Sequence, residues 1–189
     1  MLDRWEEWLR GNPRSAGAAL FLSSFVLYAS SLANGFVYDD EYQILQNPFV
    51  LSPHLWTKIF TGSVWSFQAV AFPTNYYRPL HIFTHWLIYR LAGPNPAAFH
   101  LFQVLIYAGT VVLVLQIARK LLRNETAAFA GALLWAVHPL HVEAVAWIAA
   151  VPDTGYGFFF LLGFLAFLRA EEMKEGTARA HVLAALAFF

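Results

Sequence analysis

Three acidic residues in a row, Asp39-Asp40-Glu41, stand just beyond an uncharged apolar stretch at Ala16 to Ala33. Carboxylates beside a membrane span are costly unless they face water or bind something. One of them can act as general base on a hydroxyl, and an adjacent pair can hold a divalent ion against a phosphate leaving group. The bland alternative is a solvated loop with a helix cap. A second group is His138-Pro139-Leu140-His141-Val142-Glu143. On a helix His138 and His141 share a face, and Glu143 follows two residues on. Pro139 breaks a helix there and frees backbone groups that need partners. Such a cluster could bind a metal or an anionic head group, although its spacing is poor for zinc. Polar capping of a helix end explains it as well. If a divalent cation (Mg or Mn) takes part, Asp40, His141 and Glu143 are its candidate ligands. Asp153 adds a carboxylate nearby in sequence. Arg78, in Tyr76-Tyr77-Arg78-Pro79, is a candidate partner for a lipid phosphate, with stacking or snorkelling as the alternative. Trp56, Trp65, Phe67, Trp86 and Tyr89 could stack on sugar rings, and interface anchoring explains them equally.

The elements that must position these groups are membrane helices. The chain is 59% hydrophobic and 13% charged, with mean hydropathy +0.50. A soluble domain of this length could not bury so much apolar surface. A net charge of zero gives no reason to expect nucleic acid as a partner, and without cysteine there is no disulfide framework or thiolate site. The reading is all-α: a multi-pass transmembrane helical bundle forming one membrane domain over residues 1–189. Spans are expected at about 15–33, 97–118, 126–145 and 154–168, with the start of a fifth at 180–189. Residues 34–96 form a large first outer loop containing interfacial helices. Pro79 to Leu91 carries His81, His85 and Arg90, which fits an interfacial amphipathic helix rather than a span. Ser52 is a candidate N-cap for a helix through Leu55, Ile59 and Phe60.

Basic residues set the orientation. With the N-terminus cytoplasmic, Arg4, Arg10, Arg14, Arg119, Lys120, Arg123, Arg169, Lys174 and Arg179 lie inside. Only Lys58, Arg78 and Arg90 lie outside. The acidic triplet, His138, His141, Glu143 and Asp153 then share the outer face. A signal peptide ending near Ser31-Leu32-Ala33 is the alternative for the first run, but that run is long for one.

Asn34-Gly35-Phe36-Val37-Tyr38-Asp39-Asp40, followed by Ile44 and Asn47-Pro48, resembles the first outer loop of GT-C-fold glycosyltransferases. Within them it is most similar to the transmembrane and tetratricopeptide-repeat, protein O-mannosyltransferase-like proteins. Tyr77-Arg78-Pro79-Leu80, Phe99-His100-Leu101 and His138 to Val145 resemble further motifs of that family in the same order. The likeness implies the N-terminal part of an incomplete GT-C module in the bacterial inner membrane. Its implied activity moves a hexose, mannose among them, from a polyprenyl-phosphate donor to a hydroxyl of a protein or glycan acceptor on the outer face. Asp39 would be the catalytic carboxylate and Asp40 its partner. Arg78, His138, His141, Glu143 and Asp153 would bind donor or acceptor. In one respect the chain departs from bacterial members: Val151-Pro152 stands where a basic pair precedes the aspartate. The alternative is a truncated, non-catalytic membrane anchor or assembly scaffold derived from that family.

Overall fold

The computed structural model describes residues 2–68 and 76–172. The expected start of a fifth span lies outside them. Every regular element among the described residues is helical. Helix α1 (Leu2–Gly11) leads into α2 (Pro13–Tyr28), whose last turn tightens to 3-10 geometry over Ala29–Ala33. The outer loop carries a π-helical turn at Glu41–Leu45, the short α3 (Pro48–Leu51), a 3-10 turn at Trp56–Phe60 and α4 (Pro79–Ala92). Then come α5 (Pro96–Leu122), α6 (Glu125–Ala136), α7 (Val142–Ala146) and α8 (Val151–Ala170). Pro13–Ala33, Pro96–Leu122 and Ile148–Ala170 are long and apolar enough to cross a membrane. Glu125–Ala136 with Pro139–Ala146 adds a fourth if its 48° bend is a broken span. The spans read at 15–33, 97–118 and 154–168 thus correspond to single helical stretches a few residues longer, and the one read at 126–145 corresponds to the bent pair.

Local chemistry explains where they begin and end. Asn95 and Asn124 place side-chain oxygens on the backbone N–H groups of Ala97 (3.1 Å) and Ala127 (2.7 Å), capping α5 and α6. Pro96 then opens α5 at a position where no N–H is needed. At the other end Arg123 adopts a left-handed φ of 51° and stops α5. The proline break after α6 ends its hydrogen-bond ladder at the carbonyls of Trp135, which keeps a turn bond from His138 N–H (3.2 Å), and Ala136. The Tyr107 hydroxyl answers them, donating to Trp135 O (3.2 Å) and Ala136 O (2.9 Å). Gln103 performs the same task after α7. Its amide Nε2 donates to Ala144 O and Trp147 O at 3.0 Å, while its Oε1 accepts from the Thr154 hydroxyl at 2.9 Å. Polar side chains of α5 thus hold the broken segment in place.

Helix α5 is the axis of the bundle and packs on α2, α6 and α8. One apolar core joins Leu20, Val104, Val111, Leu115, Ala128 and Ala132. A separate core under the outer loop joins Ile44, Val50, Ile59, Ile82, Phe99 and Ile148. That second core ties the loop to the start of α8.

Two expectations change. The helix expected after Ser52 is a 3-10 turn, with Ser52 Oγ accepting only a long bond (3.4 Å) from His54 N–H. Helix α4 forms where it was read, but its polarity is reversed. His81, Ile82 and His85 are buried, while Leu80, Leu87 and Leu91 are exposed. Burial holds both imidazoles well below their usual range, His85 at about 3, so they pack as neutral rings 4.6 Å apart. Arg90 anchors the helix by donating to Val50 O (3.1 Å) and Leu51 O (2.8 Å).

Helix α1 docks through Glu6, whose carboxylate accepts from the N–H groups of Glu125 (2.8 Å) and Thr126 (2.7 Å) at the start of α6. Those bonds lower its pKa from 4.5 to about 2. An acid whose pKa falls on folding supports the fold above its unfolded value and loses that support as pH drops through the folded one. Docking of α1 is therefore expected to persist at pH 5 and to loosen between pH 4.5 and about 2. Amide exchange in α1 measured across that window tests it; protection that does not change would remove Glu6 as the anchor.

Candidate functional site

The acidic triplet is divided by the fold. Tyr38 takes a left-handed φ of 50°, unusual for a bulky residue, and reverses the chain just ahead of the acids. Asp40 is fully buried beneath that turn. Its Oδ2 accepts from Val37 N–H at 3.0 Å and its Oδ1 from Ala149 N–H at 2.8 Å. Burial pushes the Asp40 pKa above its usual value, and the two backbone donors oppose that rise. Asp40 thereby fastens the outer loop to the entrance of α8. Asp39, one residue earlier, is half-buried and opens into a cleft, whereas Glu41 is exposed.

The cleft holds about 330 Å³ and is lined by Asp39, Gln43, Trp65, Tyr76, Arg78, Trp147 and Asp153, with Val64 and the Ala149-Ala150 backbone region. Asp39 comes from the loop, Arg78 from the residue before α4, and Asp153 from the first turn of α8. The guanidinium of Arg78 lies over the Tyr76 ring, 5.0 Å from its centre. Among the described residues no carboxylate is within ion-pair distance of it. Its charge is held by an aromatic face and is available to an anion.

A second cavity of about 390 Å³ adjoins the first. Pro79, Phe83, Phe102, Ile106, Tyr156 and Phe159 give it apolar walls. Arg78 lines both spaces and is the one Lys or Arg, among the described residues, in either. Val151 and Pro152, found where a basic pair was expected, form part of the apolar wall instead. An anion with an apolar tail could thus place its charge at Arg78 and its tail in the groove.

The other sequence-derived residues lie elsewhere. His138, His141 and Glu143 do not line the cleft. His141 packs on the rings of Trp135 (4.8 Å) and Tyr107 (5.4 Å), and His138 Nδ1 accepts from Leu140 N–H at 3.3 Å. Glu143 is exposed. Among the described residues no three His, Cys, Asp or Glu side chains are placed to share a metal ion. Asp40, His141 and Glu143 are therefore not a ligand set, and Asp40 has both oxygens committed to backbone donors. Of the aromatics, Trp65 borders the cleft; Trp86 is stacked on Phe83 at 5.6 Å, and Tyr89 lies under Arg90. Gln43 and Trp147 were not singled out from sequence.

The fold and site define a polytopic helical membrane protein with a charged cleft opening beside an apolar groove. Residues 76–189 match the family described as dolichyl-phosphate-mannose-protein mannosyltransferase, and the chain belongs to that family. It is 38% identical over 165 residues to protein O-mannosyl-transferase TMTC1 of Homo sapiens, covering 85% of this chain and 18% of that protein. It is 34% identical over 154 residues to protein O-mannosyl-transferase Tmtc2 of Drosophila melanogaster, covering 80% of this chain and 16% of that one. Protein O-mannosyl-transferase TMTC4 of Homo sapiens is 32% identical over 174 residues, covering 82% and 23% respectively. The chain thus spans about a fifth of the length of these relatives. No solved structure matches it significantly. These relatives are animal proteins, whereas the sequence reading placed the chain in a bacterial inner membrane; the spans and charge bias would be the same in either setting.

Proposed function

We propose that this chain forms the donor-binding and base-bearing part of a membrane glycosyltransferase. The enzyme would transfer mannose or another hexose from a polyprenyl-phosphate carrier to an acceptor hydroxyl on the outer face. The observation that carries the reading is Arg78, the one residue, among the described residues, shared by the polar cleft and the apolar groove. The isoprenoid chain lies in the groove, the phosphate meets the guanidinium, and the sugar extends into the cleft beside Asp39 and Asp153. Asp39 accepts the proton of the acceptor hydroxyl as its oxygen attacks the anomeric carbon. The bond from that carbon to the phosphate oxygen breaks, polyprenyl phosphate leaves with the electron pair, and the anomeric centre inverts. Arg78 offsets the charge that grows on the departing phosphate. In this reading the N-terminus is cytoplasmic, the orientation that the basic-residue bias favours.

Arg78→Gln is expected to weaken binding of farnesyl phosphate by about tenfold or more, because a charge-assisted pair is lost. Binding of farnesol, which has the chain without the phosphate, should not change. The measurement is titration of this chain in detergent micelles, followed by tryptophan fluorescence. Equal loss for both ligands would remove Arg78 from phosphate recognition. A non-catalytic anchor or scaffold, the alternative from sequence, would bind neither ligand with preference.

A further inference from the structure

Gln43 is 4% exposed, yet it lines the cleft. Its side-chain carbonyl Oε1 is buried and has no hydrogen-bond partner. Such an orphan is costly, and native folds remove most of them. Leucine has nearly the same volume and would fill a merely structural position without that cost. The local backbone is also unusual. Gln43 sits in the middle of the π-helical turn Glu41–Leu45, closed by Gln46 N–H donating to Glu41 O at 3.0 Å. Turns of this kind are less stable than α-helix and recur at functional sites. This one turns Gln43 and Ile44 inward while leaving Glu41, Tyr42 and Leu45 exposed. It begins two residues after Asp39, so the base and the amide enter the cleft from one segment.

The remaining walls suit a sugar. Trp65 and Trp147 bring aromatic rings to the cleft, Tyr76 carries Arg78 on its ring, and Asp39 and Asp153 offer acceptors. A sugar ring covered on its flat face by an aromatic turns its hydroxyl edges toward polar neighbours. An amide can accept from one hydroxyl and donate to the next, and rotation about its last torsion exchanges the two ends.

We infer that Gln43 hydrogen-bonds the sugar hydroxyls of the polyprenyl-phosphate sugar in the cleft, and so sets the preference for sugar-bearing over bare lipid phosphate. The inference rests on the donor-binding reading above and assigns its sugar subsite. The test uses two probes, farnesyl phosphate and its mannosyl ester, titrated against wild type and Gln43→Leu in micelles. Wild type should bind the ester more tightly. Gln43→Leu should weaken ester binding roughly tenfold, the loss expected of a hydrogen bond in a dry site. Its binding of farnesyl phosphate should be unchanged, and its thermal unfolding midpoint equal to or above that of wild type. Retention of the wild-type preference in Gln43→Leu overturns the inference and leaves the donor reading standing. Equal losses for both probes with a lowered midpoint also overturn it, assigning Gln43 to packing. Wild type that binds both probes equally overturns it as well, with the groove and Arg78 unaffected. Wild type that binds neither probe removes the donor reading along with it.

Discussion

Asp39→Asn should reduce sugar transfer by on the order of 10²- to 10⁴-fold, the usual contribution of a positioned general base. The side chain keeps its size and its hydrogen-bonding edge, and loses only the ability to take a proton. Asp39 is half-buried and makes no hydrogen bond or ion pair within the described structure that would hold the fold. Membrane insertion and thermal stability should therefore match wild type. Binding of farnesyl phosphate should also persist, because in the proposed arrangement Arg78, and not the carboxylate, meets its phosphate. The assay is transfer of radiolabelled mannose from a polyprenyl-phosphate donor in membranes carrying the protein. An Asp39→Asn protein that transfers at the wild-type rate would mean that another group, Asp153 first among the lining residues, takes the proton.

The candidate spans were legible because hydropathy and length determine them directly, and Pro139 marked the break in the third. The convergence of Asp39, Arg78 and Asp153 was partly legible, since topology placed them on one face of the membrane. Position along the bilayer normal does not specify a shared cavity, however. His138, His141 and Glu143 satisfied the same topological test and lie off the cleft, because the proline break turns His141 against Tyr107 and Trp135. Helix α4 misled for a related reason. Its polar residues led to the reading of an interfacial amphipathic helix, but His81 and His85 face the loop core as neutral rings while Leu80, Leu87 and Leu91 face outward. Amphipathicity gives two faces and does not say which is buried when the surroundings are lipid. Gln43 and Trp147 entered the site through a π-helical turn and an interhelical bend. Neither is specified by a local pattern of residue types.

Asp40 and Asp39 are adjacent in sequence, and opposite consequences follow from their substitution. Asp40→Ala removes the acceptor shared by Val37 N–H and Ala149 N–H, and Asp40 is fully buried. Each orphaned donor costs about 1–3 kcal/mol, so destabilisation by about 2–5 kcal/mol is expected. Asp40→Asn should cost less, because one oxygen remains to accept while the new amide nitrogen faces the other N–H. Fold-based loss spreads from the loop to the entrance of α8, since the Ala149 bond is the polar link between them. Amide exchange should rise at Val37 and Ala149 together in Asp40→Ala, and transfer should fall in proportion to the unfolded fraction. Acidity has a definite sign here as well. Burial raises the Asp40 pKa above 3.8, so protonation favours the folded form. Its contribution is complete below pH 3.8 and declines as pH rises through the elevated value. Local exchange at Val37 and Ala149 should accordingly slow as pH is lowered from neutral toward that point, after correction for intrinsic rates, the reverse of the trend at α1. An Asp40→Ala protein with wild-type stability and abolished transfer would place Asp40 in the chemistry rather than beneath it.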